Sequence, residues 1–222
     1  MVIQAGLLAF WMVWTGIVGE QSSQQVRIVA LGDSTTAGTP GFLSPVEAPP
    51  AGRGDARSQY AYWLMQAHPG WEVLNRGVNG ERSDQIRARF DRDVLSARPA
   101  VVVVVAGVND VYQGRPASQV IEHLRWMYDR ARHAGIRVVA GTILPYDTAS
   151  PDQNARMHEI NAWIRHEAAG DPALGFVDTR AAVAAPANPD TLSETADHLH
   201  PSPAGYRAMA EAIRPVIERI LR

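Results

Sequence analysis

The stretch Val26-Arg-Ile-Val-Ala-Leu-Gly-Asp-Ser-Thr-Thr-Ala-Gly38 decides the fold. Its branched apolar residues predict a buried strand, and Gly32-Asp33-Ser34 predicts a tight turn where that strand ends. In open α/β sheets, ligands bind at the carboxyl ends of the strands. Ser34 is therefore a candidate nucleophile, and a purely structural turn residue is the alternative.

Strands and helices alternate along the remaining chain. Five consecutive valines within residues 100–106 predict a strand covered on both faces, which is typical of a parallel sheet between two helix layers. Further strands are predicted at 71–75, 136–140 and 174–178, and helices at 58–68, 83–95, 116–134, 152–168 and 204–221. We expect the last strand at a sheet edge, a kink at Pro215, a surface loop over 39–57 and irregular chain over 187–203. The pattern predicts one α/β domain over residues 26–222 with a doubly wound parallel sheet.

Composition excludes several classes of function. The 222 residues carry a net charge of −2 without a block of basic residues, so no nucleic-acid partner is expected. Cysteine is absent, which removes disulfides, thiolate metal sites and cysteine nucleophiles. The histidines in the helical segments lack ligand spacing, so we expect neither a metal nor any other cofactor.

The amino terminus has its own pattern. Residues 2–19 are almost entirely apolar, and the polar segment 20–25 follows. We expect residues 1–25 to comprise a secretory signal peptide, cleaved near Gly19, with a polar linker after it, and the protein to be periplasmic or secreted. An uncleaved membrane anchor and a helix packed on the domain are the alternatives, and membrane contact is expected only if the segment is retained.

Three further clusters fall at strand ends or in the late loop. Gly77 and Gly80 follow the second strand, Asn109 follows the valine strand, and Asp197 and His200 lie three residues apart in the late loop. A serine hydroxyl needs a base to take its proton and a third group to orient that base. Acyl transfer also needs hydrogen-bond donors aimed at the developing oxyanion. The backbone N–H groups of Ser34 and Gly80 and the side-chain amide of Asn109 could supply three.

These motifs resemble those of the GDSL (SGNH) family of serine hydrolases. Gly-Asp-Ser34 matches the first block of that family, Gly80 the second, Gly107-Val-Asn109-Asp110 the third and Asp197-His-Leu-His200 the fifth. The resemblance implies a flavodoxin-like α/β/α sandwich with a five-stranded parallel sheet. It also implies Ser34 as nucleophile, His200 as base and Asp197 as the orienting acid, with Ser34, Gly80 and Asn109 lining the oxyanion hole.

Some alternatives stay open at this point. His198 competes with His200 as the base, and Gly77 competes with Gly80 as the oxyanion donor. The expected reaction is hydrolysis of a small carboxylic ester, with short acyl or acetyl esters favoured; a thioesterase or a lysophospholipase of the same family is the alternative. A flavin-binding protein is an alternative from a different class of function, because hydroxyl residues after a first strand also resemble a phosphate-binding loop. Asp33 argues against it, since a carboxylate repels phosphate. The sequence leaves the oligomeric state undetermined.

Overall fold

The central sheet has five strands, all parallel. The computed structural model describes residues 25–222, so the predicted signal segment lies outside the described residues. The strands are β1 (Val26–Gly32), β4 (Trp71–Gly77), β5 (Val101–Val105), β6 (Arg137–Gly141) and β7 (Leu174–Val177), and their order across the sheet is β4-β1-β5-β6-β7. Two short antiparallel pairs lie outside it: β2 (Phe42–Leu43) with β3 (Arg53–Gly54), and β8 (Ala184–Ala185) with β9 (Asn188–Leu192).

Helices cover both faces of this sheet. They are α1 (Ser34–Ala37), α2 (Tyr60–Ala67), α3 (Ser83–Ala88), α4 (Val108–Tyr112), α5 (Ala117–His133), α6 (Pro151–Ala169), α7 (Thr179–Val183) and α8 (Pro203–Ile220). Alternate residues of the valine strand face opposite layers: Val102 and Val104 pack with α3, α5 and α6, whereas Val101, Val103 and Val105 pack with α2 and α8. The predicted three-layer α/β/α sandwich is confirmed, with β7 at an edge as expected.

The predicted helix over 83–95 is wrong in one respect. Helix α3 ends at Ala88, and a separate π-helical turn covers Asp91–Leu95. Arg89, at the break, is only 7% exposed; its guanidinium donates to the backbone carbonyls of Gly32 and Arg76 at 2.8 Å each. Because the Arg89 side chain points inward to the strand ends, the regular α-helix is interrupted at this residue.

Two regions expected to lack regular structure contain short strands. The β2–β3 pair lies within 39–57, and β9 takes up the start of 187–203. The last helix continues through Pro215. Among residues 25–222, no helix combines the length and the apolar character needed to cross a membrane.

Two glycines bring the helix that begins at Ser34 close to the sheet. Gly32 and Gly77 are the last residues of adjacent strands and are paired in register. A Cβ on Gly77 would lie 2.0 Å from the backbone nitrogen of Ala37, and one on Gly32 would lie 2.2 Å from the carbonyl oxygen of Val105. Because neither position has room for a side chain, α1 rests directly on the strand ends.

Candidate active site

Ser34 is the first residue of α1, directly after the turn that ends β1. The Asp33 carboxylate caps this helix by accepting from the Thr35 backbone N–H at 3.0 Å and from the Thr35 hydroxyl at 2.8 Å. Ser34 is 3% exposed. Its own backbone N–H has no partner within the helix, because the first turn of a helix leaves its N–H groups unpaired.

Asp197 and His200 form a local pair. The imidazole Nδ1 of His200 lies 2.7 Å from Asp197 Oδ2, while Asp197 Oδ1 accepts from the backbone N–H groups of Leu199 and His200 at 3.0 and 2.8 Å. Burial acts to raise the pKa of Asp197, but hydrogen bonds from the His200 side chain and from both N–H groups outweigh it and lower the pKa to about 2. The carboxylate is therefore ionised at neutral pH and holds the imidazole in one orientation.

The two histidines of the late loop differ in environment. The His200 side chain is 6% exposed, and its Nε2 is buried without a hydrogen-bond partner in the described part of the chain. The His198 side chain is 69% exposed and bonds Asp147 at 3.0 Å, on a backbone with φ of +63°. Asp147 also accepts from the Leu192 N–H at 2.9 Å, and its own N–H donates to the His198 carbonyl. His198 therefore anchors the loop that carries His200.

Charged groups of the late loop and of the end of β1 influence the same buried side chains. Burial raises the pKa of Asp33 to about 6, and the Thr35 hydrogen bonds and the charge of His200 oppose that rise. Burial also raises the pKa of the Tyr206 phenol well above its usual value, and the negative charges of Asp33 and Asp197 raise it further. The carboxyl groups of the two chain segments thus act on one buried phenol, whose hydroxyl donates to the Thr39 carbonyl at 2.8 Å.

The two candidate glycines after β4 have different surroundings. The Gly77 N–H already donates to the Asn75 side chain at 2.9 Å. Gly80 has a positive φ of +76°, and a Cβ built there would meet nothing within 4 Å. A residue in this open, left-handed position can turn its N–H toward a ligand. The geometry favours Gly80 over Gly77 as a donor.

Asn109 lies at the start of α4 and connects to the same loop. Its side-chain Nδ2 donates to the Glu81 carbonyl at 2.9 Å, which leaves the second N–H of the amide for another acceptor. The loop 78–81 is further held by Asn79, whose N–H donates to Glu47 at 2.8 Å, and by Glu81, whose carboxylate accepts from Arg89 at 2.6 Å.

Asp110 belongs to a buried cluster with Ser83 and His123, two residues that no sequence motif indicated. Asp110 is fully buried and accepts from the backbone N–H and the hydroxyl of Ser83, both at 2.8 Å. The Ser83 hydroxyl also lies 2.9 Å from His123 Nδ1. Burial raises the pKa of Asp110, and the two Ser83 hydrogen bonds oppose the rise. The only signal in the sequence was the position of Asp110 directly after Asn109.

The arrangement can therefore supply a helix-start serine, an oriented imidazole, and amide donors from two other loops. Within residues 25–222, no group of three His, Asp or Glu side chains is suited to hold a metal ion.

Comparison with known proteins gives consistent results. A sequence model of the GDSL-like lipase/acylhydrolase family matches residues 30–208. An acetylxylan esterase from Geobacillus stearothermophilus is 29% identical over 171 residues, which cover 69% of this chain and 76% of that protein. Platelet-activating factor acetylhydrolase IB subunit alpha1 of Homo sapiens is 26% identical over 152 residues, which cover 67% of this chain and 65% of that subunit.

A solved structure supports the architecture. The structure of a member of the lipolytic protein G-D-S-L family from Veillonella parvula superposes with a TM-score of 0.71 at 20% identity, covering 87% of this chain and 99% of that one. At this identity the likeness concerns the fold.

Proposed function

Because this chain belongs to the GDSL-like lipase/acylhydrolase family and is a carboxylic ester hydrolase, we propose that it cleaves short-chain acyl esters, acetyl esters in particular, through an acyl-enzyme on Ser34 with His200 as the base. The observation that carries the proposal is the state of the His200 ring. Its Nδ1 is bound to Asp197 at 2.7 Å, and its Nε2 is buried without a partner among residues 25–222.

This geometry favours one tautomer. Asp197 is ionised and accepts hydrogen bonds only, so the Nδ1 of a neutral His200 carries the proton. Nε2 then presents a lone pair, which is what a general base needs. In the proposed reaction Nε2 takes the Ser34 proton as the hydroxyl oxygen attacks the acyl carbonyl. The resulting imidazolium gives the proton to the leaving alcohol, and a water molecule later releases the acid by the same steps.

The oxyanion would be held by donors from three separate loops. They are the backbone N–H of Ser34 at the start of α1, the N–H of Gly80 and the remaining amide N–H of Asn109. Loss of one such donor typically lowers kcat by about 10²–10³-fold. All three are held by the protein's own hydrogen bonds or strand ends, so little reorganisation is needed during the reaction.

The names of the relatives support the acyl group in the proposal. One is an acetylxylan esterase and the other is an acetylhydrolase subunit, so both names refer to an acetyl group. The Pro- and Gly-rich segment 39–57, which follows α1, supports a partly open site suited to short acyl chains.

Three single variants test the catalytic assignment on a p-nitrophenyl acetate substrate. Ser34→Ala and His200→Ala should each lower kcat by roughly 10³-fold or more while far-UV circular dichroism stays unchanged. His198→Ala is the matched control, because it removes the neighbouring imidazole of the same loop, and it should retain kcat within about 10-fold. Near wild-type turnover by either of the first two variants would refute the assignment. An inactive His198→Ala together with an active His200→Ala would identify His198 as the base.

A substrate series tests the acyl specificity. We expect kcat/KM to fall as p-nitrophenyl esters lengthen from acetate to octanoate, and an acetylated xylo-oligosaccharide to be deacetylated faster than an acyl-thioester is hydrolysed. A maximum at the long chains would favour a lysophospholipase, and a preference for the thioester a thioesterase.

Export belongs to the same proposal, because the apolar segment 2–19 is followed by a polar segment before the domain begins at β1. Mass spectrometry of protein expressed in a Gram-negative host should show cleavage near Gly19. A full-length mass in the membrane fraction would favour the anchor, and a full-length soluble protein would contradict export.

A further inference from the structure

We propose that Asp110 and Ser83 are positioning residues that fix the distance between two oxyanion donors, the Gly80 N–H and the Asn109 amide, an inference that rests on the proposed function. The two donors come from different loops: one follows β4 and the other follows β5. No backbone ladder joins these strands, since β1 lies between them in the sheet.

Three hydrogen bonds connect the two loops directly. Asp110 is adjacent in the chain to Asn109, and Ser83 is three residues after Gly80. The Asp110 carboxylate accepts from the Ser83 backbone N–H and from its hydroxyl, at 2.8 Å each. The Asn109 amide itself accounts for the third contact, its 2.9 Å bond to the Glu81 carbonyl. Both loops are thereby tied within one or three residues of the donors.

The donor and acceptor roles in these hydrogen bonds make the connection between the loops strong. An ionised Asp110 only accepts, so the single Ser83 hydroxyl proton goes to it, and His123 Nδ1 must then donate to the Ser83 oxygen. When Asp110 is ionised, the chain His123→Ser83→Asp110 ends on a charge, and charge-assisted hydrogen bonds are roughly twice as strong as neutral ones. Ser83 and Asp110 are both fully buried, so water does not compete for these bonds. The titratable groups that interact electrostatically with Asp110 are Asp33, Arg82, Asp84 and His123.

Loss of the hydrogen bonds between Asp110 and Ser83 should raise the free energy of the transition state more than it weakens substrate binding. The donors act on the oxyanion, which exists only after attack, so misplacing them removes stabilisation that the ground state does not have. Arg89 holds the opposite side of the loop through Glu81, so the loop should remain folded when the Asp110 contacts are lost.

The test uses Asp110→Asn, Ser83→Ala and their double variant in the full chain. For p-nitrophenyl acetate, Asp110→Asn should lower kcat by about 10–100-fold with KM within about 3-fold, because an interaction of the transition state is lost. The Ki of a simple alkylboronic acid, which forms a tetrahedral adduct on a serine nucleophile, should rise by a similar factor. The double variant should lose less than the product of the single losses, since both residues act through the same bonds.

Asn161→Ala is the matched control. Asn161 is buried and makes two hydrogen bonds to the backbone of Ile143, at 2.7 and 3.0 Å, outside the two loops in question. It should lower the melting temperature as much as Asp110→Asn does but leave kcat near the wild-type value. If Asn161→Ala loses kcat in proportion to its melting temperature, the effect of Asp110 is general destabilisation and the inference fails.

The outcomes separate this inference from the proposed function. An inactive Ser34→Ala combined with a wild-type kcat and boronate Ki in Asp110→Asn would overturn the positioning role alone. A change confined to KM would do the same. An active Ser34→Ala would overturn the proposed function, and the inference with it. If Asp110→Asn fails to fold, Ser83→Ala carries the same expectation, because it removes the hydroxyl and keeps the backbone bond.

Discussion

The buried carboxyl of Asp33 should make the stability of the fold depend on pH in an unusual direction. One of its oxygens caps α1, and the other, Oδ2, is buried without a hydrogen-bond partner among the described residues. The pKa of this carboxyl rises from 3.8 to about 6 on burial. A carboxyl with a higher pKa in the folded state loses stability on ionising, so the fold is penalised as the pH rises from about 4 to about 6.

The size of this penalty follows from the same values. The gap between 3.8 and about 6 corresponds, at about 1.36 kcal/mol per pH unit, to about 3 kcal/mol of unfolding free energy. Asp33→Asn keeps an oxygen for the Thr35 cap and removes the charge. The variant should match the wild type near pH 4 and exceed it by about 3 kcal/mol near pH 7.5.

Urea unfolding followed by tryptophan fluorescence at the two pH values measures this difference. Glu159→Gln is the matched control: it removes one negative charge from an exposed position of α6, and its offset from the wild type should be the same at both pH values. A constant offset for Asp33→Asn as well would mean that Asp33 does not ionise across this range, and the reasoning from its burial would be wrong.

Three other substitutions test the site and the packing of the glycines. Asp197→Asn should lower kcat by about 10³–10⁴-fold with little change in KM, because the His200 ring loses the carboxylate that fixes its tautomer; steady-state kinetics with p-nitrophenyl acetate measure it, and unchanged turnover would contradict the assignment. Gly77→Ala should cost more than about 3 kcal/mol because its Cβ would meet the Ala37 backbone at 2.0 Å, whereas Gly80→Ala should cost only about 1–2 kcal/mol for its positive φ. Thermal melts compare the two glycine variants, and the reverse order would refute the packing argument.

Much of the fold could be predicted because its central strand is apolar throughout and the strand before Gly32 is apolar over its last five residues. The valine strand and the run before Gly32 specify strands covered on both faces, and that burial pattern specifies a parallel sheet. The helix at 83–95 was predicted too long, since apolar residues continue at helical spacing past the point where Arg89 turns inward. Strand pairs of two to five residues, such as β8 with β9, lack a period long enough to detect.

The site shows a similar division. Ser34, Gly80, Asn109, Asp197 and His200 stood out because each lies in a short motif at a strand end or in the late loop. The bond between Asp110 and Ser83 joins residues 27 positions apart, and neither residue type favours a partner at that distance in sequence. Likewise, only the coordinates show that Gly77 uses its N–H for Asn75 and that His198 bonds Asp147.

The hydroxyl of Ser34 and the imidazole of His200 come from opposite ends of the polypeptide. The exposed turn at residues 186–187, between β8 and β9, lies between them in the chain, and α8 on the far side packs against α2 and α7. A chain divided at that turn would yield one fragment with the hydroxyl and another with the imidazole, neither competent by itself. Under the proposed mechanism, ester cleavage would then report reassociation of the two fragments, which makes the scaffold suitable for a split-enzyme sensor.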